Sequence, residues 1–344
     1  MTDVATLPEP LAVVAPPKGR SGASAWALWL VRRLGLAVLT LWLVSVLVFF
    51  ATAALGDPIR AILGKDYAAQ PERVATLRDQ LNLGDSVVSR YFSWLGGLFT
   101  GDLGTSIASL RPVSELIGSS VLNTLVLVLL SAVVMIPVAF GIAMVSANYR
   151  RRRADTVIQT ALLTLAGLPE FVIGILLVAL FSTTVLHVLP AVTIVSNTGH
   201  PWDTPKTMVL PVATLVLAVA PYVSRIVRST LLEVLDSDYV ELARLKGIPE
   251  RVVMRKHALL NAIVPGIQVI ALQLAWLAGG VVVVEFLFSY PGVGAQLVDS
   301  VRNHDIPMVQ ALSMIIAAVY VVVNLVADLL SILLTPRART AISS

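Results

Sequence analysis

"YVELARLKGIPERVVMRKHALLNAIVP", residues 239–265, interrupts a chain that is otherwise overwhelmingly apolar. Within it stand Arg244, Lys246, Arg251, Arg255 and Lys256, a histidine, and the acids Glu241 and Glu250. So much charge is too costly to bury in hydrocarbon, so the stretch must lie outside it and separate the apolar runs on either side. Leu231, Leu232, Leu235, Tyr239, Leu242 and Leu245 follow helical spacing into it. Gly247 can take the left-handed conformation that ends a helix, and Pro249 suits the first turn of the next one. Val252, Val253, Leu259 and Leu260 then continue an apolar face toward Pro265. The stretch therefore predicts two short helices at an angle on a membrane surface. Physics alone leaves two readings side by side: a hairpin resting its basic face on anionic headgroups, or a docking surface for another protein.

The chain outside this stretch sets the class. Of 344 residues, 57% are hydrophobic and only 13% charged, about half the roughly 25% charge of a soluble domain. Several apolar runs are long enough to cross a hydrocarbon core of roughly 30 Å at about 1.5 Å per residue. The expectation is an all-α polytopic membrane protein with six spans, near 29–54, 120–146, 157–182, 208–228, 266–288 and 308–334. Arg32 and Arg33 before the first run give it a signal-peptide look, but the run is longer than a signal's apolar core and five more follow. Lys and Arg gather in alternate connections: Arg32/Arg33, Arg150–Arg153, the cluster from Arg225 to Lys256, and Arg337/Arg339. The positive-inside rule then places both termini in the cytoplasm. The basic balance is charge facing lipid, so no nucleic-acid partner is expected.

A long first outer loop, 55–118, carries two amphipathic patterns. Val74, Leu77 and Leu81 share one helical face, and Val88, Tyr91, Phe92, Leu95 and Phe99 another, joined through Asn82-Leu83-Gly84-Asp85. They read as short helices at the outer surface, either a lid on the bundle or a ligand contact. Residues 1–25, rich in Pro, Ala and Gly, read as a disordered tail, and 340–344 as a short C-terminal one.

Catalytic chemistry finds no constellation. There is no Cys, which excludes thiol catalysis, disulfides and Cys-based metal sites. The four His form no HExxH, no GxSxG marks a nucleophilic serine, and no GxxxxGK[ST] offers a P-loop. No catalytic residue and no metal site is expected. Polar residues inside spans are the remaining candidates. Asn324 and Asp328 lie four apart on one face of the last span, suited to bundle packing or to lining a pathway. Glu285 sits near the outer end of the fifth span, where water or a partner would solvate it. Pro137 and Pro221 are candidate kinks in spans two and four.

Glu241-Leu-Ala243-Arg-Leu-Lys-Gly247, followed after a spacer by Ile263-Val-Pro265, resembles the EAA loop of bacterial ABC-importer permeases. Leu242 stands where the family usually has its first Ala. Gly56-Asp57-Pro58 is similar to the family's GDP motif. Tyr91, the run "GDLGTS" at 101–106 with Gly101, Asp102 and Gly104, and Arg111-Pro112-Val113 resemble the outer loop of its dipeptide/oligopeptide/nickel branch. "VVVVEFLFSYPGVGAQLVDSV" at 281–301 and "NLVADLL" at 324–330 resemble that branch's C-terminal part. Departures are the long N-terminal tail, "LNLGDSV" where Gly-Leu-Asp-x-Pro is usual, and Thr335-Pro336-Arg337 in place of Asp-Pro-Arg.

The resemblance implies a six-helix permease domain over 26–339, a B-type subunit of the bacterial inner membrane, with the coupling region at 229–264. It implies that Tyr239, Glu241, Ala243, Lys246, Gly247 and Arg251 engage an ATPase cleft. Implied partners are a homologous second permease, two ATPase subunits, an external substrate-binding protein and membrane lipid. The chain itself would bind no cofactor, with ATP and Mg held by the ATPases. The implied function is ATP-driven import of di- or oligopeptides by alternating access, with nickel chelates, glutathione or another small solute as alternatives. A stand-alone channel or secondary transporter is a different class. It would predict inverted repeats with paired broken helices, and the charged hairpin has no counterpart in the first half.

Overall fold

The long apolar runs become helices, one of them broken. In the computed structural model the described residues are 22–54, 59, 71–80, 84–195, 199–254 and 259–334. Helix α1 runs Gly22–Ala54, starting inside the segment expected to be a tail. The outer-loop helices follow as α2, Pro71–Gln80, and α3, Val87–Thr100. Ser86 caps α3 by accepting from the Ser89 amide at 3.2 Å. Helix α4, Val113–Asn148, and α7, Val209–Leu235, run unbroken through Pro137 and Pro221 respectively. The chain closes with α10, Leu259–Leu287, the short α11, Val293–Arg302, and α12, Ile306–Leu334. Among the described residues there is no strand, only an isolated bridge between Thr105 and Pro112.

The run expected as a third span is not one helix. It splits into α5, Arg153–Ala166, and α6, Glu170–Val178, bent by 105° at the break. The cause is local: Gly167 follows α5, and Pro169 is the N-cap of α6, where its missing amide costs nothing. Among the described residues four helices are long and apolar enough to cross a membrane, and the bent pair makes up to five.

α7 is the centre of the bundle. α4, α5, α6 and α10 pack against it, and Leu215, Val219, Val223, Val227 and Leu231 are fully enclosed. Ala132, Ala139, Ala143 and Ala147 on α4 are also buried. Their small side chains let backbones approach closely, which supplies the packing that hydrophobicity cannot supply between helices in lipid. α1 is peripheral and rests on α12 and α3. Its direction is fixed by two pairs, Arg33 with Asp328 near one end and Thr52 with Gln310 (2.8 Å) near the other. The start of α1 and the finish of α12 therefore share the end of the bundle that carries Arg150–Arg153, here called the basic end.

Candidate functional site

The stretch 239–265 forms its surface at the basic end. α7 stops at Leu235 and a separate helix α8, Asp238–Leu245, follows, so the two are not one continuous helix. α8 ends in a double closure: the Ile248 amide donates to Ala243 carbonyl at 3.2 Å and the Gly247 amide to Arg244 carbonyl at 2.9 Å. This six-to-one and five-to-two pattern needs a left-handed residue, supplied by Gly247 at φ +74°. Pro249 then caps the single turn α9, Glu250–Val252. Arg244 clamps the corner, donating to both Glu250 oxygens (2.7 and 3.1 Å) and to the Leu235 carbonyl at 3.2 Å. Those bonds hold the Glu250 carboxyl below, and the Arg244 guanidinium above, their ordinary values.

The corner is anchored on one side only. Val240, Ala243 and Val253 are buried in the main core, with Ile248 packed on them. The opposite side exposes Leu242 (53%), Leu245 (78%) and Tyr239 (44%). Glu241, Lys246 and Gly247 are exposed too, and a Cβ on Gly247 would meet nothing. Arg251 lies in α9, its side chain outside the described residues, as do Arg255–Ala258 entirely. Beside the corner, Arg150 grips Asp236 through two bonds (2.5 and 2.7 Å), and the bond from Arg150 pulls the Asp236 carboxyl down.

The other end of the bundle is closed by its own chain. Glu285 is fully buried, so water does not reach it, contrary to the expectation from its position in the run. Its oxygens accept from Thr124 Oγ1 at 2.6 Å and from the Gly294 amide at 2.7 Å, at the start of α11. The chain folds back over it at Pro291-Gly292, where a Cβ on Gly292 would run into the carboxylate. Asn123 donates to Pro291 carbonyl and Tyr290 OH to Asn123 carbonyl, both at 2.8 Å. Asp305, between α11 and α12, is buried and accepts from Ser106 Oγ (2.5 Å) and the Ile107 amide (3.1 Å).

The outer-loop motif builds this clamp. Gly101 at φ +81° stops α3, and Asp102 Oδ1 accepts from the Gly104 amide at 2.9 Å. α3 itself leans on α1 through Tyr91, whose OH lies 2.9 Å from Ser45 Oγ and whose ring meets Phe49 edge-on. Val88, Phe92 and Phe99 of the same expected face remain exposed. Gly56, Asp57 and Pro58 lie outside the described residues. Asp328 pairs with Arg33, whereas Asn324 donates to the Tyr320 carbonyl of its own helix at 2.9 Å, so the two do not act together. Among the described residues no group of His, Asp or Glu is placed to hold a metal.

Sequence reasoning missed a node just inside the basic end. Asp155 on α5 accepts from Arg228 of α7 (2.6 and 3.1 Å) and from Ser146 of α4 (2.6 Å). An acid near the start of a span and an arginine near the finish of the next were the available signal.

A family model described as "Binding-protein-dependent transport system inner membrane component" matches residues 138–340. A second, "Binding-prot-dependent transport system membrane comp, N-term", matches residues 27–114. The glutathione transport system permease protein GsiC of Salmonella choleraesuis (strain SC-B67) is 38% identical over 309 residues, covering 90% of this chain and 97% of the relative. The protein of the same name from Escherichia coli (strain K12) is 35% identical over 312 residues, covering 90% and 98%.

Proposed function

This chain belongs to the binding-protein-dependent transport system inner membrane components and is a permease subunit of an ABC importer in the bacterial inner membrane; from that premise we propose that it forms half of a translocation pathway for small peptides. The basic end faces the cytoplasm in this reading, and six passes arise when the bent α5–α6 pair and α10 each count as one. The other half of the pathway is a homologous permease, two ATPase subunits dock at the basic end, and a substrate-binding protein delivers cargo from outside. Glutathione, itself a short peptide, is the first cargo to test, because the relatives' names carry it.

One observation carries the mechanism: a helix corner with a buried inner side and an exposed apolar outer side. A lipid-facing hairpin would turn its apolar side to the core or to the acyl chains and its charges to the headgroups. Here apolar side chains sit beside Glu241 and Lys246 on a rigid, hydrogen-bonded corner, which suits a protein cleft. Tyr239, Glu241, Leu242 and Leu245 are the contact, Ala243 permits close seating against α7, and Gly247 sets the corner's angle. ATP binding shifts the bundle only through the different affinities of this corner for the two ATPase arrangements. The chain contains no P-loop sequence of its own, so in this reading hydrolysis is the work of the partner subunits.

The test is reconstitution of the full complex in vesicles with glutathione, dialanine and a nickel chelate as cargo. Uptake of a peptide that needs ATP, both ATPase subunits and the binding protein is the expected result. Uptake by this chain without ATPases would contradict the coupling reading, and transport of the nickel chelate alone would contradict peptide cargo.

A further inference from the structure

Beside the Asp155 node, α5 and α7 enclose a groove of about 330 Å³ lined by Asp155, Thr156, Gln159, Thr160, Leu163 and Arg225. It lies toward the basic end, with Arg225 ten residues before the last residue of α7, Leu235. Arg225 is sixteen residues into α7 from Val209, about 24 Å along the axis at about 1.5 Å per residue. Asp155 makes no bond to Arg225; its oxygens accept from Arg228 and Ser146. Gln159 is turned away to donate to Ser146 Oγ at 2.8 Å. Among the described residues Arg225 is exposed and has no hydrogen-bond or ion-pair partner, so the groove keeps one uncompensated positive charge. Thr156 and Thr160 are exposed one turn apart beside it, and on α7 Tyr222 and Ser229 continue the exposed side, an arrangement unsuited to lipid.

We infer that Arg225, rimmed by Thr156 and Thr160, is an anion-receiving station in the translocation pathway and pairs with the carboxylate of the cargo. A guanidinium is a flat fork of donors matched to a carboxylate, and every peptide with a free C-terminus carries one. The inference rests on the peptide-importer reading for its cargo, but the charge and exposure of the groove stand apart from it. A headgroup phosphate is the other source of the same chemistry.

The cysteine-free sequence makes the test direct. Thr160→Cys in the complete complex is labelled with an anionic sulfonate and a cationic ammonium methanethiosulfonate of similar size. Arg225 should favour the anionic reagent on the order of tenfold, by concentrating anions in a narrow groove. Arg225→Gln should remove that preference and Arg225→Lys keep most of it, which separates charge from folding. Dialanine should slow labelling and dialanine amide should not.

Reaction only with a lipid-soluble maleimide, or a preference unchanged in Arg225→Gln, would overturn the proposal. So would a preference seen only in vesicles lacking anionic lipid, which would assign the station to headgroups. Equal slowing by dialanine and its amide would overturn the carboxylate pairing. Absence of ATP-driven peptide uptake together with a persistent, Arg225-dependent anion preference would instead remove the peptide reading and leave the anion station standing.

Discussion

The two ends of the bundle handle polar groups in opposite ways. At the closed end, Glu285 and Asp305 are buried and accept bonds from groups that this chain folds over them. At the basic end, the Arg244–Glu250 and Arg150–Asp236 pairs lie at the surface, and leucines on α8 point away from the protein. Glu285 and Asp305 are satisfied within this chain. An ordered corner with bare leucines is a surface awaiting a partner. The difference separates residues that hold the fold from residues that work through contact with other subunits.

The largest expected effect is at the closed end. Glu285→Ala strips an acceptor from Thr124 and Gly294 in a dry site and should cost roughly 3 kcal/mol. Thermal unfolding of the detergent-solubilised complex reads it, and an unchanged midpoint would erase the contrast between the ends. Asp305→Ala should cost about 2 kcal/mol by the same logic and free the 101–112 segment to proteolytic nicking. Leu245→Ala should leave unfolding unchanged yet weaken ATPase binding about tenfold, or roughly 1.4 kcal/mol. A stability loss without a binding loss would make that leucine part of the fold.

The smallest effect is at the corner clamp. Arg244→Gln should cost roughly 0.5 kcal/mol at neutral pH, because the pair is largely solvated. Glu250 has its carboxyl lowered in the folded state, so its contribution is full above the ordinary glutamate value and is lost as pH falls through the lowered one. Parent and variant should therefore converge as pH falls below the ordinary glutamate value and through the lowered one, which a pH series of unfolding midpoints would show.

The long helices and the corner were legible in the sequence, because a 3.6-residue apolar period and a Gly between two such runs are local signals. The break between α5 and α6 was equally local, since Gly167 and Pro169 sit within one apolar run, but hydropathy averaged over the run hides it. The closed end was not legible. Thr124 and Glu285, or Ser106 and Asp305, are far apart in sequence, and single polar residues carry no period to announce a pairing. Glu285 stood out as a charge in a span, yet only the fold-back at Gly292 decides that it is dry. Arg225 and Asp155 looked like ordinary flanking charges until α5 and α7 were side by side.

Cargo uptake and cargo-stimulated ATP hydrolysis by the complete importer, both measured for Gly247→Asp, test the division between the two ends most directly. A left-handed backbone penalises aspartate by only about 1 kcal/mol, so the subunit should insert and assemble while a carboxylate stands on the exposed corner. The expected result is an assembled complex whose cargo-stimulated hydrolysis and uptake fall together, with the unfolding midpoint nearly that of the parent. Parental uptake with parental cargo-stimulated hydrolysis in Gly247→Asp would show that the corner at the basic end does not carry the ATPase's motion.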